Sequence, residues 1–116
     1  MTAVAKVTRK RRTDRNHVIY LIENTQTGHS YVGLTVVGFK GNIKKTIHRR
    51  LQKHVQRAMA EDKSWALSRS IRRYSADAFT ISPMEIVRGK VAAHKRETQL
   101  IHDMKPKLNT LGANCV

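Results

Sequence analysis

Residues 18–22 read Val-Ile-Tyr-Leu-Ile, an unbroken apolar run between polar neighbours, and this run constrains the chain more than any other feature. A strand with one wet face alternates apolar and polar residues, so a short continuous run is a strand covered on both faces. It predicts the central strand of a sheet. Asn24, Thr25, Gln26, Thr27 and Gly28 then supply a turn, with Gly28 free to take a positive φ, and a second apolar run follows over residues 31–37. The two runs make a β-hairpin. Gly38, Gly41 and Asn42 break the pattern again and predict a loop.

From Ile43 the period becomes helical: Ile43, Ile47, Leu51, Val55 and Met59 recur every fourth residue, with Ala58 beside them. His54 falls inside this apolar stripe and Arg50 on its border, while Arg49, Lys53 and Gln56 lie opposite. A shorter helix is expected from an N-cap at Ser64, carrying Trp65, Leu67, Ile71 and Tyr74. Phe79, Ile81, Met84, Ile86 and Val87 suggest a third strand, and Pro83 within it implies an edge or a bulge. A last helix over residues 91–104 stops before Pro106. The order is β-β-α-α-β-α.

Charge narrows the partners. The 116 residues allow one domain, and 23 lysines and arginines against 8 acidic residues give a net charge of +15, which favours a polyanionic partner such as nucleic acid. Residues 1–16 hold Lys6, Arg9, Lys10, Arg11, Arg12 and Arg15 against Asp14 alone and read as a flexible basic arm. Residues 111–116 form a tail. The single cysteine, Cys115, rules out a disulfide framework and a multi-thiolate zinc site, so a reducing, cytoplasmic location is expected. No apolar run approaches the ~20 residues that span a bilayer, and no membrane partner is expected.

Two helices place polar groups on their inward faces. Ala93, Leu100, Ile101 and Met104 all fall within about 60° of Glu97 on a helical wheel, so a carboxylate occupies the middle of the buried stripe. Unpaired burial would be costly, which leaves a structural ion pair, for instance with Arg50, or ligation of a hard cation such as Mg²⁺. Arg50 and His54 stand one turn apart on the earlier helix. Tyr20 and Tyr31, on adjacent strands, are candidates for near neighbours on one face.

These residues fall into a known order. Val18-Ile19-Tyr20, ten residues, then Tyr31-Val32-Gly33 resembles the two halves of the GIY-YIG nuclease motif, with Val18 where that family has glycine. Downstream, Arg50-x-x-x-His54 resembles the family's helix motif, and Glu97, Ile101, Lys105-Pro106 and Asn109 resemble its metal-binding helix and following asparagine. Relative to that pattern, the stretch between Gly33 and Arg50 is long. The resemblance covers residues 17–109 and implies an α+β fold, a small three-stranded antiparallel sheet flanked by helices, as a nuclease domain over residues 17–110.

The function it implies is a Mg²⁺-dependent (or Mn²⁺-dependent) endonuclease that hydrolyses DNA phosphodiesters with one metal ion. The site residues carried over are Tyr20, Tyr31, Arg50, His54, Glu97 and Asn109, with Glu97 as metal ligand and Gly33 in a structural role. Arg50 offers a planar fork to phosphate oxygens. Tyr20 is the expected general base with Tyr31 and His54 as hydrogen-bonding neighbours; His54 is the rival base. Asn109 would orient substrate or the backbone around Glu97, and Gly33 would let the strand approach a helix or phosphate closely. Arg9, Lys10, Arg11, Arg12, Lys40, Lys44, Lys45, Arg69, Arg72 and Arg73 are expected along the nucleic-acid backbone. Two alternatives stand beside this: a noncatalytic nucleic-acid-binding protein on the same scaffold, and a nuclease acting on RNA. No recognition module is visible, so specificity would come from the arm, the 36–45 loop, helix surfaces, a homo-oligomer or a protein partner.

Overall fold

A computed structural model describes residues 15–60 and 66–109. The arm up to residue 14, the Ser64 cap, Trp65 and the tail with Cys115 lie outside the described residues. Strand β1 (Asn16–Asn24) runs between β2 (Ser30–Val36) and β3 (Phe79–Arg88), antiparallel to both. Helices α1 (Ile43–Ala60) and α2 (Ala66–Tyr74) precede β3, and α3 (Lys90–Met104) follows it. The architecture is the expected α+β one, in the expected order. The fold begins slightly earlier than the composition suggests, because Asn16 opens β1 and the Arg15 carbonyl accepts hydrogen bonds from the Gly89 amide and the His17 ring, at 3.0 and 2.8 Å.

The apolar run becomes the central strand for the reason its pattern implies. Val18, Ile19, Tyr20 and Ile22 have no exposed surface. Val18, Tyr20 and Ile22 point to one side, where Ile47 of α1, Leu67 and Ile71 of α2 and Phe79 of β3 complete the main core. Ile19 points to the other side, and α3 packs across all three strands with Ala93 fully buried. Arg96 pins that helix to β3, its Nε donating to both Glu85 oxygens at 3.0 Å. Val18, at the motif's usual glycine, packs into the core without disturbing the pairing of β1 with β2.

The hairpin turn follows its residue types. Gly28 adopts φ +78° and donates to the Asn24 carbonyl at 2.7 Å, while the Asn24 side chain accepts from Gln26 N at 2.9 Å and donates to Ser70 of α2 at 3.2 Å. Pro83 lies on an edge strand and beside a bulge: the register steps from Ile19–Glu85 to Tyr20–Pro83 and leaves Met84 over. The free edge of β2 is closed by the chain after α3, where Leu108 N donates to Ser30 O at 2.9 Å.

Two methionines depart from their helical stripes. Met59 is 57% exposed because the fully buried Ala58 takes the inward position in the last turn of α1. Met104 is 42% exposed at the final position of α3, where the chain turns out of the helix through left-handed Lys105. Among the described residues no helix is long and apolar enough to cross a membrane.

Candidate active site

The site is built where the middle of β1 faces α1. Tyr20 sits on the core side of the central strand, and Arg50 and His54, one helical turn apart, project from α1 toward it. The Tyr20 hydroxyl lies 3.0 Å from His54 Nε2 and accepts from Arg50 Nε at 3.3 Å. With the oxygen accepting from Arg50, the phenolic hydrogen is directed to His54. A neutral His54 then carries its own hydrogen on Nδ1. Tyr31, on β2, completes an aromatic triangle, with its ring edge-on to His54 at 5.3 Å and 6.4 Å from Tyr20 between centroids.

Burial governs the protonation of this cluster. It raises the Tyr20 pKa well above the ordinary phenol value, reinforced by Tyr31 and Glu97 and opposed by Arg50. Tyr31 is raised in the same way, by burial and then by Glu97. His54 is pulled down to about 4, first by burial and then by the positive charges of Arg50 and Arg57. At neutral pH the phenols keep their protons and the imidazole is neutral, which is the pairing the hydrogen bonds require. Arg57 was not singled out in the sequence, although it stands one further turn along from His54.

The pKa of His54 gives a stability prediction. The unfolded chain takes up a proton at the ordinary value of 6.5 and the folded chain only at about 4, so this residue makes stability fall as pH drops through that window. Glu97 acts in the opposite sense, since burial raises its pKa. In thermal melts across the window, His54→Gln should flatten the acid-side loss of melting temperature relative to the parent. Parallel curves would show that folding does not lower the His54 pKa.

Gly33 is paired opposite Tyr20, and its role differs from the expected close approach to a helix or phosphate. A Cβ at this position would collide with Cζ and the hydroxyl of Tyr20 and stand 2.7 Å from Cε1. The glycine makes room for the tyrosine ring. Gly33→Ala should therefore destabilise the fold by about 1–3 kcal/mol, as overpacking does, and displace the hydroxyl from Arg50 and His54. Chemical denaturation and the near-ultraviolet tyrosine signal measure both effects; an alanine variant with unchanged stability and spectrum would remove this role.

Glu97 lies half-buried on α3, its side chain 19% exposed. Its ion-pair neighbour is His94, one turn earlier, with 3.7 Å between Nδ1 and Oε1, and Arg50 instead donates to Tyr20. Of the two readings of Glu97, the ion pair with Arg50 does not form: the two residues make separate contacts. The i, i+3 spacing of His94 and Glu97 was the available signal for this neighbour. Burial raises the Glu97 pKa and His94 opposes the rise. Among the described residues no three His, Cys, Asp or Glu side chains gather as a metal-ligand group. Among the described residues Glu97 offers one hard carboxylate with a single long ion contact, in electrostatic reach of both tyrosines. That suits a hard cation that keeps most of its own water.

Asn109 is buried, and both ends of its amide are used by the Val32 peptide: Oδ1 accepts from Val32 N at 2.8 Å and Nδ2 donates to Val32 O at 2.9 Å. It clasps the chain after α3 to the strand carrying Tyr31 and Gly33. This is a positioning role, without contact to Glu97.

Of the expected nucleic-acid contacts, Arg9, Lys10, Arg11 and Arg12 lie outside the described residues. Lys40, Lys44 and Lys45 are exposed together at the loop and the start of α1, and Arg69 and Arg73 are exposed on α2. Arg72 is half-buried and donates to the Ala58 carbonyl at 3.2 Å, so it also ties α2 to the end of α1. Arg49 and Lys53, on the solvated side of α1, line a depression that includes Arg50. Two exposed cations thus share one depression with Arg50.

No protein-family model matches the sequence, and no curated protein is significantly similar to it. Two solved structures share its fold. The catalytic domain of homing endonuclease I-TevI is 25% identical, with a TM-score of 0.59 over 80% of this chain and 92% of that one. A glutamate-to-alanine variant of the catalytic domain of intron endonuclease I-TevI is 24% identical, with a TM-score of 0.61 over 81% and 89% of the two chains. The chain thus has the fold of a GIY-YIG nuclease catalytic domain, as the order of its motifs implies.

Proposed function

We propose that this protein is a Mg²⁺- or Mn²⁺-dependent endonuclease that hydrolyses DNA phosphodiester bonds by direct attack of water. One observation carries the proposal: the buried Tyr20 hydroxyl is held between Arg50 and His54. Burying the Tyr20 hydroxyl against two half-buried polar side chains has a desolvation cost, and a scaffold kept for binding alone would do better with apolar residues there. The likeness to homing-endonuclease catalytic domains supports the same class.

The chemistry divides among named atoms. Arg50 has a guanidinium edge available beyond the Nε used on Tyr20, and through it holds a non-bridging phosphate oxygen. The Tyr20 oxygen takes a proton from the attacking water as its own hydrogen passes to His54 Nε2, so no free phenolate accumulates in the buried site. Tyr31 packs its ring against both partners of the pair. Glu97 would hold one Mg²⁺ or Mn²⁺, which supplies neutralisation of the charge growing on the phosphate and the leaving oxygen. DNA is the substrate favoured by the net charge of +15 and by the homing-endonuclease fold, and a reducing, cytoplasmic setting suits a chain with one cysteine. A second copy or a protein partner would supply specificity and the second strand cut.

The test is incubation of the purified protein with supercoiled plasmid, with and without Mg²⁺. Nicked or linear DNA appearing only with the metal supports the proposal. Binding without cleavage in either condition would assign the chain to the noncatalytic alternative, and selective cleavage of RNA to the other.

A further inference from the structure

The loop between β2 and α1 carries a feature that the cleavage chemistry does not use. Among the described Phe and Tyr residues, Phe39 is the one that is exposed, at 50%. It stands on a single tight turn, Phe39–Gly41, closed by Gly41 N donating to Gly38 O and Asn42 N to Phe39 O, each at 3.1 Å. Three successive residues there have positive φ: Phe39 at 52°, Lys40 at 56° and Gly41 at 89°. A phenylalanine gains nothing from that backbone on its own account, since left-handed φ disfavours bulky side chains.

The turn is nevertheless built to persist. The Thr46 hydroxyl accepts from Gly38 N at 3.1 Å and lies 3.2 Å from Gly38 O and 2.8 Å from Asn42 O, and Asn42 Oδ1 caps α1 at Lys45 N. These bonds fix the turn to the same helix that carries Arg50 and His54. Lys45 Nζ sits 5.7 Å from the Phe39 ring centroid, and Lys40 and Lys44 are exposed beside it. Phe39 also shares a wall of one depression with Arg49, Arg50 and Lys53. An exposed aromatic ring, rigidly mounted among cations and next to a phosphate-binding arginine, matches the composition of nucleic-acid sites that pair backbone charge neutralisation with base stacking.

We infer that Phe39 is a stacking residue for a nucleobase of the bound DNA, at the step beside the phosphate that Arg50 holds. The inference rests on the proposed nuclease function, since it takes DNA as the ligand and Arg50 as the phosphate anchor. Lys40, Lys44 and Lys45 hold the neighbouring backbone while the ring contacts the base face, which makes the turn a positioning element for the scissile phosphate.

The test uses the full chain and a short mixed-sequence DNA duplex labelled at one end, in a chelator so that no cleavage occurs. Phe39→Ala is expected to weaken binding about tenfold while the salt dependence of affinity stays as in the parent, because stacking releases no counterions. Lys45→Ala should instead reduce that salt slope. In Phe39→Trp, the added indole should lose emission as duplex is titrated, beyond any change shown by Trp65 in the parent. Melting temperatures of all variants identify any that fail to fold. Parent-like affinity of a folded Phe39→Ala, or an unquenched indole in a bound complex, would overturn the inference. Because these readouts are independent of hydrolysis, quenching with no plasmid cleavage by the parent would leave the stacking role standing and remove the nuclease function.

Discussion

Glu97→Gln is expected to abolish metal-dependent DNA cleavage, by about a thousandfold or more, and to leave folding and DNA affinity nearly intact. The size follows from the charge stabilisation a bound cation gives a phosphoryl transition state, several kcal/mol at about tenfold in rate per 1.4 kcal/mol. Glutamine keeps the side-chain shape on α3 and removes a carboxylate whose ionisation burial already opposes. Its loss should therefore keep or slightly raise the melting temperature, since among the described residues the ion contact given up is the 3.7 Å one to His94. A variant that cleaves at the parent rate with Mg²⁺ would end the metal assignment. One that unfolds at lower temperature would instead make Glu97 a structural residue.

Tyr20→Phe should reduce the cleavage rate by about 10²–10⁴-fold, the usual contribution of general acid–base catalysis. The ring keeps its place against Gly33 and the core, so the stability loss is limited to a buried hydroxyl and its two partners, about 1–3 kcal/mol. His54→Ala should cost less in rate, because water entering the vacated space can accept the phenolic proton. Single-turnover cleavage by the two variants, at matched folded fractions, measures the ranking. If His54→Ala were the more damaged, the base would be the imidazole, with Tyr20 only orienting it.

How far the chain could be read without its structure depends on the range of each interaction. Strand, turn and helix patterns are local, so β1 as central strand, the Gly28 hairpin, the Pro83 bulge and the stripe bearing Arg50 and His54 were legible from neighbouring residues. The Tyr20–Tyr31 proximity was legible too, because an antiparallel hairpin brings its two strands together by construction. The identity of contact partners was not. The bonds of Tyr20 to Arg50 and His54 span 30 and 34 positions, and that of Asn109 to Val32 spans 77. Periodicity placed Arg50 and Glu97 on inward faces, but it carries no information on which inward groups meet.

The sequence by itself determined the element order, the central strand, the strong net positive charge and the residues proposed for the site, Tyr20, Tyr31, Arg50, His54 and Glu97. Tertiary structure alone decided that Arg50 serves Tyr20 while Glu97 meets His94, that Gly33 makes room for the Tyr20 ring, and that Asn109 clasps the edge of β2. The physical reason is that a side chain's preference for a face is set by its own few neighbours along the chain. Its partner is set by strand register and by the distance between packed elements, and those follow only from the fold as a whole.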